Sequence, residues 1–301
     1  MTNGAECKNC GVTLAGRYCS ACGQPADVRV PSFGHLLLDA LGDAFSFDSR
    51  VWRSLGALVL PGRLTRRFLE GQRAKYTPPF RLYVVTTLVF FALFSIGRMM
   101  TGPPKPASSP PEENTADEPS PATTEDEQFG IDVKNGRWNC NLDKNLPPPM
   151  RARLVAACER IEADSGASFM RALAEHFPVM MLFFIPAIAG LMKLLYAFSR
   201  RKYVEHLLFF VHVHTFFFLT GVVTTLALRA AGLVPFLTSP VRAVTFVAWL
   251  YFPIYVYLAM RYVYRQGRVL TAVKYVALWG GYFVAFLASL SGLLIYTAVT
   301  L

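Results

Sequence analysis

Four cysteines near the start of the chain, Cys7, Cys10, Cys19 and Cys22, form two C-x-x-C pairs separated by eight residues, each followed by a glycine, Gly11 and Gly23. That spacing puts two thiolates on one tight turn, and glycine tolerates the backbone such a turn demands. Four thiolates complete a tetrahedron around Zn2+ at about 2.3 Å and leave no open coordination position, so the expected site is structural. A peptide this small has too little apolar surface to fold alone, and bound metal then supplies the folding free energy. Iron fits the same four-sulfur geometry and is the alternative metal. Disulfides and free thiols compete with both metals. A cytosolic location disfavours disulfides, and the doubled spacing favours a metal.

The second constellation is YVEHLLFFVHVHTFFFL, Tyr203 to Leu219, which begins a long apolar stretch. Ionisable groups in a bilayer are costly and tend to face a bundle interior, which makes Glu205, His206, His212 and His214 a candidate intramembrane site for proton, ligand or transport chemistry. Helix geometry restrains that reading. At about 1.5 Å rise per residue, Glu205 and His212 share a face but stand about 10 Å apart, while His212 and His214 point to nearly opposite sides. No i, i+4 ligand pair exists, so this helix alone cannot chelate a metal, and partners must come from Lys193, Tyr196, Tyr251, Tyr255 or Tyr257. The competing reading is that the histidines make interhelical hydrogen bonds that fix packing, each worth about 1 kcal/mol.

These residues must be held by membrane helices. The chain of 301 residues is 53% hydrophobic with 24 phenylalanines, far from a globular average. Five stretches read as spans: roughly 82–97, 177–192 extending to 198, 204–228, 241–260 and 275–301. The net charge of +10 comes from Lys and Arg clustered beside apolar runs, which is a topology pattern rather than a nucleic-acid patch, and no nucleic acid partner is expected. Basic residues precede the first span and fill the second and fourth connections, whereas the third holds only Arg229 and Arg242. The first residues are polar with no apolar h-region. The expected topology is therefore five spans with a cytosolic N-terminus and an extracytoplasmic C-terminus.

The expected fold class is an all-α polytopic membrane protein with a zinc-ribbon-like knuckle over 1–30 and amphipathic interfacial helices over 31–80. In the second segment Leu37, Leu41, Ala44 and Phe45 oppose His35, Asp39 and Asp43, a polar face that could hold a cation but ordinarily is just solvated. Arg63, Arg66, Arg67, Arg73, Lys75 and Arg81 then suit the anionic inner lipid surface. Span one occupies 81–100. A Pro-, Ser- and acid-rich stretch, 101–128, reads as a disordered linker. A small extracytoplasmic segment, 129–176, carries a hairpin signal at Asn135-Gly136 and then a helical pattern with Leu154, Cys158 and Ile161 on one face. Cys140 and Cys158 fall in this outside segment, where a disulfide is permitted. Residues 177–301 hold the other four spans.

In order, C-x-x-C-G, Y-C-x-x-C-G-Q, LPGRLTRRFLEGQRAKYTPPFRLY and YVEHLLFFVHVHTFFFL resemble the bacterial membrane proteins grouped as domain-of-unknown-function family 3667. The resemblance rests on Gly62, Gly71, Tyr76, Pro79, Phe80, Arg81, Tyr203 and Phe217 besides the cysteines, Glu205, His206 and His212. It implies a bacterial inner (plasma) membrane and brings no assigned activity. Two function classes stand: an interaction or assembly factor anchored in the bilayer, recruiting a protein partner through the knuckle, or a membrane protein moving a proton, ion or solute past Glu205 and the histidines. An enzyme comes third, because neither a paired acid and base nor an open metal site is legible.

Overall fold

The computed structural model describes residues 5–27, 49–101, 130–134, 137–141, 147, 155–157, 161, 163 and 167–300. The expected helix around His35, Asp39 and Asp43, the acid-rich linker, Leu154 and Cys158 lie outside them, as does the side chain of Cys140. The chain divides into two compact units, 1–96 with 183–285, and 97–182 with 286–301. The described elements are α1 (Ser49–Val59), α2 (Arg63–Leu69), α3 (Pro79–Thr101), β1 (Gly130–Lys134), β2 (Arg137–Asn141), α4 (Ala167–Leu195), α5 (Tyr203–Gly232), α6 (Pro235–Tyr264) and α7 (Arg268–Thr300).

Four of these helices are long and apolar enough to cross a membrane: Pro79–Gly97, Tyr203–Gly232, Pro235–Tyr264 and Arg268–Thr297. The fifth candidate is α4, where Ser168–Phe177 and Val179–Leu195 meet at a bend of 46°. Pro178 sits at that break, and proline removes the backbone donor a straight helix needs. The chain is a mostly helical, multi-pass membrane protein.

In the first unit α5 is the central helix. Its most apolar window is 67% buried, against 28% for α3, 22% for α6 and 11% for α7, which leave most of their apolar side chains for lipid. From His206 to Phe216 every residue of α5 is buried, so it needs protein on all sides. Phe218 packs against Tyr83, Phe90 and Phe91 of α3, with ring centroids 5.4–6.0 Å apart. Phe216 stacks on Tyr255 of α6 at 3.8 Å with planes 11° apart. Such an aromatic pair adds about 0.5–1.5 kcal/mol beyond its buried area.

The described part of the stretch expected at the inner lipid surface packs on other helices. Helices α1 and α2 form a hairpin that packs against α5 and α6, burying Ala57, Leu58, Leu64 and Phe68. Its tip is Leu60-Pro61-Gly62, where Pro61 interrupts the first helix and Gly62 turns with φ 71°. A Cβ at Gly62 would lie 2.9 Å from the Ala259 carbonyl oxygen and 2.9 Å from Val263 Cγ2, so only glycine lets the hairpin approach α6 this closely. Tyr255 Oη donates to the Leu58 carbonyl at 2.7 Å and satisfies a helix-end acceptor in apolar surroundings. An amphipathic face suits lipid and protein equally well, and the apolar side of this hairpin meets protein.

Of the six basic residues assigned to the lipid surface, only Lys75 is exposed. The other five are partly buried. Arg66 pairs with Glu70 and lies over the Tyr262 ring, Arg67 donates to Tyr76 Oη, and Arg73 sits over Phe68. In the second unit, β1 and β2 pair antiparallel with Lys134 opposite Arg137; Asn135-Gly136, where the sequence suggested a hairpin, lies outside the described residues.

Candidate metal centre and buried histidines

The first cysteine pair lies between two paired backbone segments, and the second repeats it twelve residues on. Cys7 N donates to Val12 O, Gly11 N to Cys7 O and Leu14 N to Ala5 O; Cys19 N donates to Gln24 O, Gly23 N to Cys19 O and Ala26 N to Arg17 O, all at 2.8–2.9 Å. Gly11 and Gly23 both adopt positive φ, 80° and 70°, as the turn requires. Two like halves thus face each other, and all four sulfurs lie within 4.8 Å of one another. The Cys7 and Cys22 sulfurs are 3.7 Å apart, and those of Cys10 and Cys19 3.5 Å. A tetrahedron with metal–sulfur bonds of about 2.3 Å requires sulfurs about 3.8 Å apart, so the set fits one four-coordinate ion.

Electrostatics favour a cation here. The Val12 backbone N–H favours the Cys10 thiolate, yet the Cys19 sulfur, desolvation and the sulfurs of Cys22 and Cys7 outweigh it and push that thiol up to about 12. The N–H groups of Ala21 and Cys22 hold the Cys19 thiol below its ordinary value. Four sulfurs this close cannot all ionise unless a positive charge sits between them.

The cluster is fastened to the hairpin by Gln24, which follows the second C-x-x-C-G. Its side chain is 2% exposed. Gln24 Nε2 donates to Gly71 O at 2.9 Å, while Oε1 accepts from Arg73 N at 2.9 Å and Ala74 N at 3.0 Å. Asn9 Oδ1 accepts from Lys75 N at 3.2 Å. Both halves of the knuckle therefore grip the segment that leads from α2 to α3.

The four candidate residues on α5 do not converge. His206 Nδ1 meets Tyr264 Oη at 2.8 Å, and its ring stacks on Tyr264 of α6 and tilts against Tyr196, just past the end of α4. His212 Nδ1 meets Thr65 Oγ1 of α2 at 2.9 Å, with the Phe68 ring edge-on at 6.4 Å. His214 Nδ1–H donates to the Phe210 carbonyl at 2.8 Å, which makes Nε2 the acceptor for Tyr282 Oη of α7 at 3.4 Å. Glu205 is turned away from all three. Its carboxylate takes Arg201 Nη1 at 2.8 Å and the Lys202 N–H at 3.2 Å.

Each histidine thus serves a different helix contact in a closely packed interior: His206 is 0%, His212 2% and His214 5% exposed. Among the described residues, His206 Nε2 and His212 Nε2 have no hydrogen-bond partner. Of the partners proposed from sequence, Tyr196 reaches His206, but Lys193 donates to the Arg201 carbonyl, Tyr255 to Leu58 and Tyr257 to Arg268. Tyr264, Tyr282 and Thr65 were missed because nothing in their local sequence marks them.

Membrane helices around a buried central span, with a four-cysteine cluster clamped to a hairpin, define a polytopic membrane protein whose knuckle has the geometry to hold a metal ion. Residues 48–91, from the start of α1 into α3, match the family model described as Protein of unknown function (DUF3667). The cysteines and the α5 motif lie outside that match. No curated protein and no solved structure matches the chain.

Proposed function

We propose that the protein is a membrane-anchored interaction or assembly factor of the bacterial inner membrane, with a cytosolic, zinc-loaded knuckle as its partner-binding module. The observation that carries this reading is the knuckle itself. Its sulfurs use up a four-coordinate ion, and its Gln24 and Asn9 clamp it to the hairpin, so it is a rigid projection rather than a reactive centre. Val12 and Tyr18 remain exposed, at 42% and 65%, on a module with almost no core of its own. Exposed aromatic and aliphatic side chains on a rigid support are the usual anchors of protein recognition. The N-terminal side is taken as cytosolic because Lys193, Arg200, Arg201, Arg265 and Lys274 fall in or beside the α4–α5 and α6–α7 connections, and Arg265 reaches Glu70 next to the segment the knuckle grips.

The test is a photocrosslinking amino acid at Tyr18 in the full chain in cells, read beside zinc content by elemental analysis. About one zinc per chain and a discrete protein crosslink, both lost in Cys19→Ser, support the reading. A zinc-loaded protein giving no discrete crosslink at Tyr18 or at Val12 removes it. The alternative, a transporter or proton- or ligand-handling protein, keeps one support: Glu205 lines a cavity. The histidines do not join it there.

A further inference from the structure

A cavity of about 230 Å³ opens where the C-terminal end of α2, the start of α5 and the end of α6 come together, on the hairpin side that also holds the knuckle. Its lining sets three guanidinium groups, Arg66, Arg201 and Arg265, against two carboxylates, Glu70 and Glu205, on an apolar floor of Leu69 and Val263. The carboxylates orient the cations. Glu70 takes Arg66 Nε at 2.8 Å and Arg265 Nη2 at 3.6 Å; Glu205 takes Arg201 Nη1 at 2.8 Å, whose Nη2 donates to Val263 O at 3.1 Å. Each guanidinium has five N–H donors in a fixed fork, so donors remain on all three, and one positive charge is left uncompensated.

Arg265 reaches the cavity from the end of α6. It is the one non-glycine residue with positive φ among the described residues, at φ 52° and ψ 40°. A left-handed backbone costs a residue with a side chain about 1–2 kcal/mol that glycine avoids. Left-handed residues commonly end helices, and Arg265 is the C-cap of α6. Here it holds a guanidinium at the cavity. From the same place, Tyr262, Leu258 and Ile254 run down α6 as an exposed apolar stripe at helical spacing, 43%, 36% and 51% exposed.

We infer that this cavity binds the phosphodiester headgroup of a membrane phospholipid, whose acyl chains lie along the α6 stripe. A phosphodiester carries the single negative charge that balances the site, and its oxygens match the guanidinium fork. The volume is below that of drug-sized pockets, as a headgroup requires. The site does not rest on the knuckle being a docking module, and its test reads neither zinc nor a protein partner.

The experiment uses the full-length, metal-loaded protein in detergent and measures thermal stability during titration with phosphatidylglycerol. Diacylglycerol with the same chains, soluble glycerophosphoglycerol and inorganic phosphate run in parallel, and native mass spectrometry counts retained lipid. Phosphatidylglycerol should raise the melting temperature and be retained, while diacylglycerol and phosphate should do neither. Arg265→Gly, which relieves the backbone strain, should melt no lower than wild type without lipid, yet bind phosphatidylglycerol at least about tenfold more weakly, or about 1.4 kcal/mol. Arg201→Gln should weaken binding similarly, and Arg242→Gln, at the far end of α6, should not. Equal responses to phosphatidylglycerol and diacylglycerol overturn the phosphate site. Inorganic phosphate matching the lipid overturns the lipid as its source. Undiminished binding by both Arg265→Gly and Arg201→Gln overturns the location.

Discussion

Thr65 Oγ1 and His212 Nδ1 lie 2.9 Å apart although 147 positions separate them in the chain. The bond joins the hairpin to the central helix where both partners are buried, His212 at 2% and Thr65 at 2% exposure. With its other ring nitrogen unpartnered among the described residues, His212 depends on Thr65 for the hydrogen bond that offsets its burial.

Removing either partner should therefore lower stability before it touches any activity. Thr65→Val leaves a buried imidazole without its bond and should cost about 1–3 kcal/mol. His212→Ala adds a cavity to that loss and should cost more. His212→Gln keeps a side-chain donor and acceptor and should recover part of it. Melting temperatures in detergent, read beside membrane abundance, check this. Unchanged melting in Thr65→Val would show that the hairpin is not held here.

The sequence made the helices and the cysteine cluster legible because each follows from a local signal: apolar length for a span, and doubled C-x-x-C spacing for four sulfurs. Helical angle alone separated His212 from His214, as the structure bears out. It could not say that His206 meets Tyr264, 58 positions away, or that His214 meets Tyr282, 68 positions away, since those pairs are set by how helices pack. The hairpin's protein contacts were not legible for a related reason. Leu58, Leu64 and Phe68 mark a buried face, but the pattern is silent on whether lipid or protein covers it. Gln24 carried no periodic signal; only its contacts reveal it.

Gly62 gives a second test of the hairpin. An alanine would have to hold φ near 71° and push its Cβ against the Ala259 carbonyl and Val263 Cγ2. The backbone conformation alone costs about 1–2 kcal/mol, and the close approach adds to it. Gly62→Ala should melt well below wild type. Adding Val263→Ala removes one of the two clashes and should restore part of the loss, a coupling that independent sites would not show. Simple additivity of the two changes would argue against hairpin and α6 being in this contact.

The metal centre should be sensitive to pH in one direction. Binding requires thiolates, and Cys10 in particular resists ionisation without a cation, with its thiol pushed up to about 12 from 9.0. Loading a metal must therefore release protons, so affinity falls as pH falls and holds as pH rises. Stepwise acidification with a chromophoric metal indicator should show release on the acid side only, and calorimetry in buffers of different ionisation heat should show proton release on loading. Metal retained under acid while lost under mild alkali would contradict a four-thiolate site.

The clamp between Gln24 and the segment after α2 can be separated from the metal it sits beside. Gln24→Ala leaves the four sulfurs untouched but strips the Gly71 carbonyl and the Arg73 and Ala74 N–H groups of their partner, at a cost of about 1–3 kcal/mol. Gln24→Glu keeps an acceptor for the two N–H groups and loses the donor to Gly71, so it should fall between alanine and wild type. The expected result is undiminished metal content by elemental analysis together with faster hydrogen exchange at the amides of 71–76, graded from wild type through glutamate to alanine. Because the exchange readout is local, it responds to the clamp even where global melting does not. Metal lost along with protection would make cluster and clamp one folding unit, and protection unchanged in the alanine variant would mean that the knuckle does not hold this segment.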